Sequence, residues 1–345
     1  MAAHDVSLWA GVDALIERAP SLDDLGAHGL QLLAASLWRS QGRPIPPELR
    51  DNQLLATLMA LAAPGLLKRA RAAYDGPLLL MKGPEVASRY RDPGARYFRD
   101  LDLLAEDPAA AQRALTGAGF VELDAPEGWS LMHHHPPLGW PGVPLIIEVH
   151  RAPKLPTWLD APPIEELMAL SVPSATGIDG LLAPAPAAHA LMLAAHAWSH
   201  RPLGRLGDLI DVAAMLDDDE RGAAAELARR WGWARMWRIT LASSDALLRG
   251  ARAPWPLRTW GRHLKEVHDV SVARATLIRV AAPLSAAPVR RLPRSLGAGV
   301  LRNVRPWPGE PWHEKVARSR KTLAHAFAEE ADHKRRIGGN PWGRT

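Results

Sequence analysis

The chain contains no cysteine. Disulfides, thiolate metal sites and cysteine nucleophiles are therefore excluded. No uninterrupted apolar stretch reaches the length needed to span a bilayer, so no membrane partner is expected. The first residues lack a basic segment followed by an apolar run. No signal peptide is evident, and the cytoplasm is the expected compartment. Neither a Gly-x-x-x-x-Gly-Lys-Ser/Thr loop nor a Gly-x-Ser-x-Gly elbow occurs, which leaves P-loop ATPase and serine hydrolase readings without support. There is no internal repeat and no low-complexity segment. Lysine is scarce beside abundant arginine, a bias of the kind that genome composition produces.

What is present suits a soluble globular protein of one large or two smaller domains. Of 345 residues, 47% are hydrophobic and 23% charged, enough for a sizeable core. The net charge of +5 is unevenly spread. From Arg290 onward there are 13 Lys/Arg against 5 Asp/Glu, whereas the rest has 29 against 32. A basic tail of this kind can contact phosphate groups, RNA or an acidic partner, or can simply be a solvated helix.

Apolar periodicity divides the chain into four parts. Residues 1–74 read as an N-terminal helical region, interrupted at Pro44, Pro46 and Pro47. Residues 75–160 read as an α/β core. In it, buried strands are predicted at 78–81, 98–104 and 143–150, with further strands possible at 120–123 and 131–135. A helix is predicted from Pro84 to Arg91, and another opens at Asp107 as N-cap with Pro108 in its first turn. Residues 161–285 read as a helical domain, with Trp231, Trp233 and Trp237 in its packing. Residues 286–345 read as a basic linker and a C-terminal helix.

The most telling run is Asp100-Leu101-Asp102-Leu103-Leu104. Along a strand, side chains alternate, so both aspartates project from one face and the leucines between and after them point into a core. Two adjacent carboxylates repel each other unless a cation sits between them, and a hard ion such as Mg²⁺ suits them. On the strand at 143–150, Glu148 and His150 share one face, opposite Ile147 and Val149. Upstream, Lys82-Gly83 closes a strand at a turn into a helix. A glycine there lets phosphate approach the backbone, and Lys82 is suited to bind phosphate or to close an ion pair with one of the acids.

In order and spacing these features resemble the nucleotidyltransferase superfamily. They are more closely similar to a bacterial family of uncharacterised nucleotidyltransferase-like proteins. The matching residues are Met81-Lys82-Gly83, Arg96 with Asp100-Leu101-Asp102-Leu103-Leu104, Glu148-Val149-His150, His196 with His200, and Arg205-Leu206 with Asp208. The likeness runs over roughly residues 10–250 and stops short of the tail. It implies an α/β fold: a small mixed-sheet core flanked by N- and C-terminal helical regions. It also implies Mg²⁺-dependent transfer of a nucleoside monophosphate from an NTP, ATP among them, to a hydroxyl of a small molecule, peptide, protein or RNA. Asp100, Asp102 and Glu148 would be catalytic and hold one or two Mg²⁺, with Glu148 as third ligand or general base. Lys82, Gly83, Arg96 and Arg99 would bind the nucleotide. Two departures stand beside this. Pro84 lacks an N–H donor, and a carboxylate at Glu85 is unfavourable near phosphate unless it points away or binds metal. They support the alternative of a non-catalytic nucleotide- or partner-binding protein; a toxin-type transferase acting on tRNA or protein is a third reading.

Other residues carry weaker signals. Of His133-His134-His135, at most His133 and His135 converge on one strand face. His196 and His200, four apart on a helix, share a face for packing or for lining a cleft. Arg205 and Asp208 are spaced to pair and to link the helical part to the core.

Overall fold

A computed structural model describes residues 3–123, 134–293, 305–306 and 310–329. The chain opens with helices α1 (Ala3–Ile16), α2 (Leu22–His28), α3 (Gln31–Ser40) and α4 (Pro47–Ala73). Then come β1 (Leu78–Leu80), α5 (Pro84–Ala87), β2 (Asp100–Ala105), α6 (Pro108–Gly117), β3 (Val121–Glu122), β4 (Leu138–Trp140) and β5 (Val143–His150). The second half holds α7 (Ile164–Ala169), β6 (Ser171–Pro173), β7 (Leu182–Pro184), α8 (Pro186–His200), α9 (Leu206–Ala214), α10 (Asp218–Arg230) and α11 (Ala234–Leu248). Helices α12 (Trp255–Thr259), α13 (Arg262–Glu266), α14 (Val272–Ala286) and α15 (Trp312–Ala324) follow. None of the described helices is long and apolar enough to cross a membrane.

The strands form one mixed sheet in the order β3-β4-β5-β2-β1-β7-β6. At its centre β2 runs parallel to β5 and antiparallel to β1. Odd-numbered residues of β2 and β5, namely Leu101, Leu103, Leu145, Ile147 and Val149, are inaccessible to solvent. They pack with Leu78 and Leu80 against Ala63 and Leu67 of α4 and Ala111 and Leu115 of α6. The opposite face carries Leu79, Met81 and Leu104 against Leu167 of α7 and Met192 of α8. A larger core lies beyond. There Leu8, Val12 and Leu33 meet Leu209, Trp233 and Met236, so the helices before and after the sheet share one interior.

Local signals act as the sequence suggests at several points. Asp107 accepts from Ala110 N–H at 2.8 Å and starts α6. Trp233 and Trp237 are buried. Trp231 donates to Glu166 at 2.9 Å. Elsewhere the structure differs. The stretch expected to be helical from 161 contributes β6 and β7, and β7 extends the sheet beside β1. These strands and β4 are three residues long, too short for alternation to register. Helix α5 stops at Ala87, short of Arg91. Helix α14 continues through Pro283 to Ala286. Of the expected C-terminal helix, α15 covers Trp312–Ala324, and residues 330–345 lie outside the described residues, as do 131–133.

Candidate active site

The parallel register pairs Asp102 with Glu148 and Leu104 with His150. The two-residue period then sets Asp100, Asp102, Glu148 and His150 on the face opposite Leu101 and Ile147. This polar face is as closed as the core at its centre: Asp102 and His150 are each 3% exposed. His150 Nε2 donates to Asp102 Oδ1 at 2.7 Å and lies 3.5 Å from Glu148 Oε2. His134 Nε2 stands 3.6 Å from the same glutamate oxygen. On the other side of Asp102, Lys82 Nζ is 3.5 Å from Oδ2 and 3.0 Å from the ring nitrogens of His196.

The charges in this cluster respond to one another. Burial, then the neighbouring Asp102, pushes the Asp100 carboxyl up to about 6. Burial also acts upward on Asp102, but the Lys82 ammonium and the His150 hydrogen bond outweigh it and hold this carboxyl well below the usual range. For His150, burial alone would favour the neutral ring; its bonds to Asp102 and Glu148 win and raise it.

A cation fits this cluster. Asp102, Glu148 and His150 each offer a ligand atom, all within 4.8 Å of one another. Asp102 Oδ2 is buried and accepts no hydrogen bond, its neighbouring cation being Lys82 at 3.5 Å. Like-charge crowding on Asp100 is the condition that a bound cation relieves. Asp100, opposite Ile146 in the register, lies one pleat further along and outside that group of three. Alternation put His150 on the face of Glu148, but its donation to Asp102 depends on the β2–β5 pairing and was missed.

The turn after β1 is held from three directions. Gly83 has φ 63°, and a Cβ there would lie 3.2 Å from Leu101 Cδ2, so the position needs glycine. Met81 O accepts from His189 Nε2 at 2.6 Å. Burial drives His189 down to about 4, which keeps it neutral while it donates. Gly83 O accepts from Arg96 Nη1 at 3.3 Å. The same guanidinium grips Asp211 through two bonds of 2.7 and 2.8 Å, with Tyr90 OH also donating to Asp211. Glu85 points away from the cleft. Its Oε2 accepts from Ser174 Oγ at 2.6 Å and Ala175 N–H at 2.9 Å. The condition that its carboxylate turn aside is met. Of the residues expected at the nucleotide, Lys82 faces the cleft, Arg96 is engaged by Asp211, and Arg99 is exposed beside β2.

Helix α8 forms the facing wall. His189, Met192, Leu193 and His196 recur at helical spacing on one side of it, and all but His189 line the cleft. His196 therefore lines the cleft, and the side chain of His200 lies outside those described. His134 reaches the acidic cluster, because it bridges to His150 at the sheet; His133 is outside the described residues. Arg205 and Asp208 make no ion pair among the described residues. Arg96 with Asp211 provides the link between helices and core instead.

A mixed sheet with an Asp-x-Asp strand, an acid on the adjacent strand and a glycine turn before them defines the nucleotidyltransferase class. The family described as "Uncharacterised nucleotidyltransferase" matches residues 27–249, and the chain belongs to this family of enzymes. Comparison with curated proteins and with solved structures gave no match.

Proposed function

We propose that the protein transfers a nucleoside monophosphate from an NTP to an acceptor hydroxyl in the cytoplasm, using Mg²⁺. The acceptor oxygen bonds to the α-phosphorus, the α–β anhydride bond breaks, and pyrophosphate leaves. Asp102 and Glu148 would hold the metal, with Asp100 adding negative charge beside them. When bound, the ion supplies charge stabilisation to the α-phosphate oxygens. His150 orients Asp102 through the 2.7 Å bond. Glu148, the more exposed of the paired carboxylates, takes the acceptor's proton. Lys82 neutralises charge on the phosphates. The observation that carries this reading is the gathering of Asp102 and Glu148 ligand atoms within 4.8 Å of one another, on adjacent strands and next to the crowded Asp100.

Calorimetry with Mg²⁺ and each NTP, on wild type and Asp102→Ala, tests it. Wild type is expected to bind both and the variant to lose the metal. Incubation with α-labelled NTP and candidate small molecules, peptides and RNAs then reports label transfer. If wild type binds neither metal nor NTP, or the variant binds both unchanged, the reading is wrong. The basic tail, with 13 Lys/Arg from Arg290 on, favours an anionic acceptor such as RNA.

A further inference from the structure

We infer that the nucleotide's β- and γ-phosphates are gripped by the side chains of Lys82, His196 and Lys154, and not by the backbone of the turn after β1. The inference rests on the function proposed above and names the binding groups of the same site.

The turn itself has little to offer an anion. Pro84 has no N–H, and α5 is only four residues long. Arg96, whose guanidinium reaches Gly83 O, is held against Asp211 in a two-bond pair. The glycine is required by its crowding against Leu101 and its positive φ, whether or not phosphate ever approaches.

The cleft beside the turn has the opposite character. It is an open cleft of about 20 Å³ lined by Lys82, Lys154, His196, Asp102 and His150. Lys82 stands at the junction, 3.5 Å from Asp102 and 3.0 Å from His196. An ammonium that close to an imidazole gains from an added anion, which can accept from both. Met81, Met192, Leu193 and Pro153 complete the wall. Apolar walls lower the local dielectric and strengthen such contacts. His189, two turns before His196 on α8, is tied to Met81 O, so His196 is held at a fixed height above the end of β1. Phosphate groups seated at the mouth of the cleft would meet Lys82, His196 and Lys154 beside the carboxylate cluster.

The test is calorimetry with inorganic tripolyphosphate and with NTP, each with Mg²⁺, on wild type, His196→Ala and Lys154→Ala. Each loss of a charge-assisted donor is expected to weaken both ligands roughly tenfold or more. Mg²⁺ affinity measured without phosphate, and the melting temperature, are expected to stay at wild-type values. His196→Gln, which keeps a donor and the packing, replaces His196→Ala should the latter melt early, and is expected to lose less affinity. If wild type binds tripolyphosphate and all variants match it, the grip lies elsewhere and the inference falls while the proposed function stands. Variants that lose Mg²⁺ together with tripolyphosphate also overturn it, because the side chains then only maintain the cleft. If wild type binds neither tripolyphosphate nor NTP, both fall.

Discussion

The two faces of β2 and β5 are equally hidden from water at their centre but do opposite work. On one, Leu101, Leu103, Ile147 and Val149 meet α4 and α6. On the other, one residue along the same strands, Asp102 and His150 are buried with their charges and hydrogen bonds facing one another. Burying apolar side chains stabilises the fold by roughly 1.5–3 kcal/mol for each large residue. Burying carboxylates is unfavourable unless partners satisfy them. The polar face is thus tolerated by the sheet because the apolar face supplies stability, and it persists because Lys82, His150 and His134 surround the acids.

This division can be broken most sharply with neighbouring substitutions on β5. Glu148→Gln is expected to lower nucleotidyl transfer by ~10²–10³-fold, the range for losing one electrostatic group in an active site, with little change in melting temperature. Ile147→Ala, one residue away, is expected to destabilise the protein by about 3 kcal/mol through a core cavity, with label transfer per folded molecule retained. Denaturant unfolding and the transfer assay together would show whether the faces separate in this way; a Glu148→Gln enzyme of full activity would undo the contrast.

A smaller effect follows from pH. Burial pushes His189 at the site and His263 in the helical part down to about 4, from an ordinary value of 6.5. Between these values the unfolded chain takes up protons that the folded chain refuses. The stability that each buried neutral ring contributes is therefore complete above about 6.5 and is lost as pH falls toward 4. Melting temperature is expected to drop over that window, and His263→Gln to flatten part of the slope. An unchanged slope in that variant would assign the acid sensitivity elsewhere.

The smallest effect concerns Glu85. Removing its hydroxyl donor by Ser174→Ala is expected to cost about 1.5–3 kcal/mol, as for a hydrogen bond to a charged group. The Glu85 carboxylate is then freer to swing toward the cleft, and NTP affinity is expected to fall by less than in His196→Ala. Thermal melts and calorimetry on the one variant separate these two consequences.

Much of the central sheet could be read from residue order, because alternation in β2 and β5 and the Asp107-Pro108 helix start are local signals. The acids Asp100, Asp102 and Glu148 were legible for the same reason. What joins them was not. The bond from His150 to Asp102 crosses 48 positions, and that from Arg96 to Asp211 crosses 115. No spacing rule reaches so far. Glu85 looked unfavourable because its partner, Ser174, belongs to a hairpin whose three-residue strands leave no periodic trace. His134 was missed because a lone bridge does not follow the face pattern of a continuous strand.

The fastening of the turn after β1 has a consequence for inheritance. Its pins come from three distant stretches of the chain: Arg96 with Asp211, Glu85 with Ser174, and His189 with a main-chain carbonyl. In descendants of this protein, positions 96 and 211 are expected to change as a pair, and so are 85 and 174. Position 189 is bound to no particular side chain at 81, because the backbone is its partner. That position is expected to hold its histidine while residue 81 drifts among apolar types.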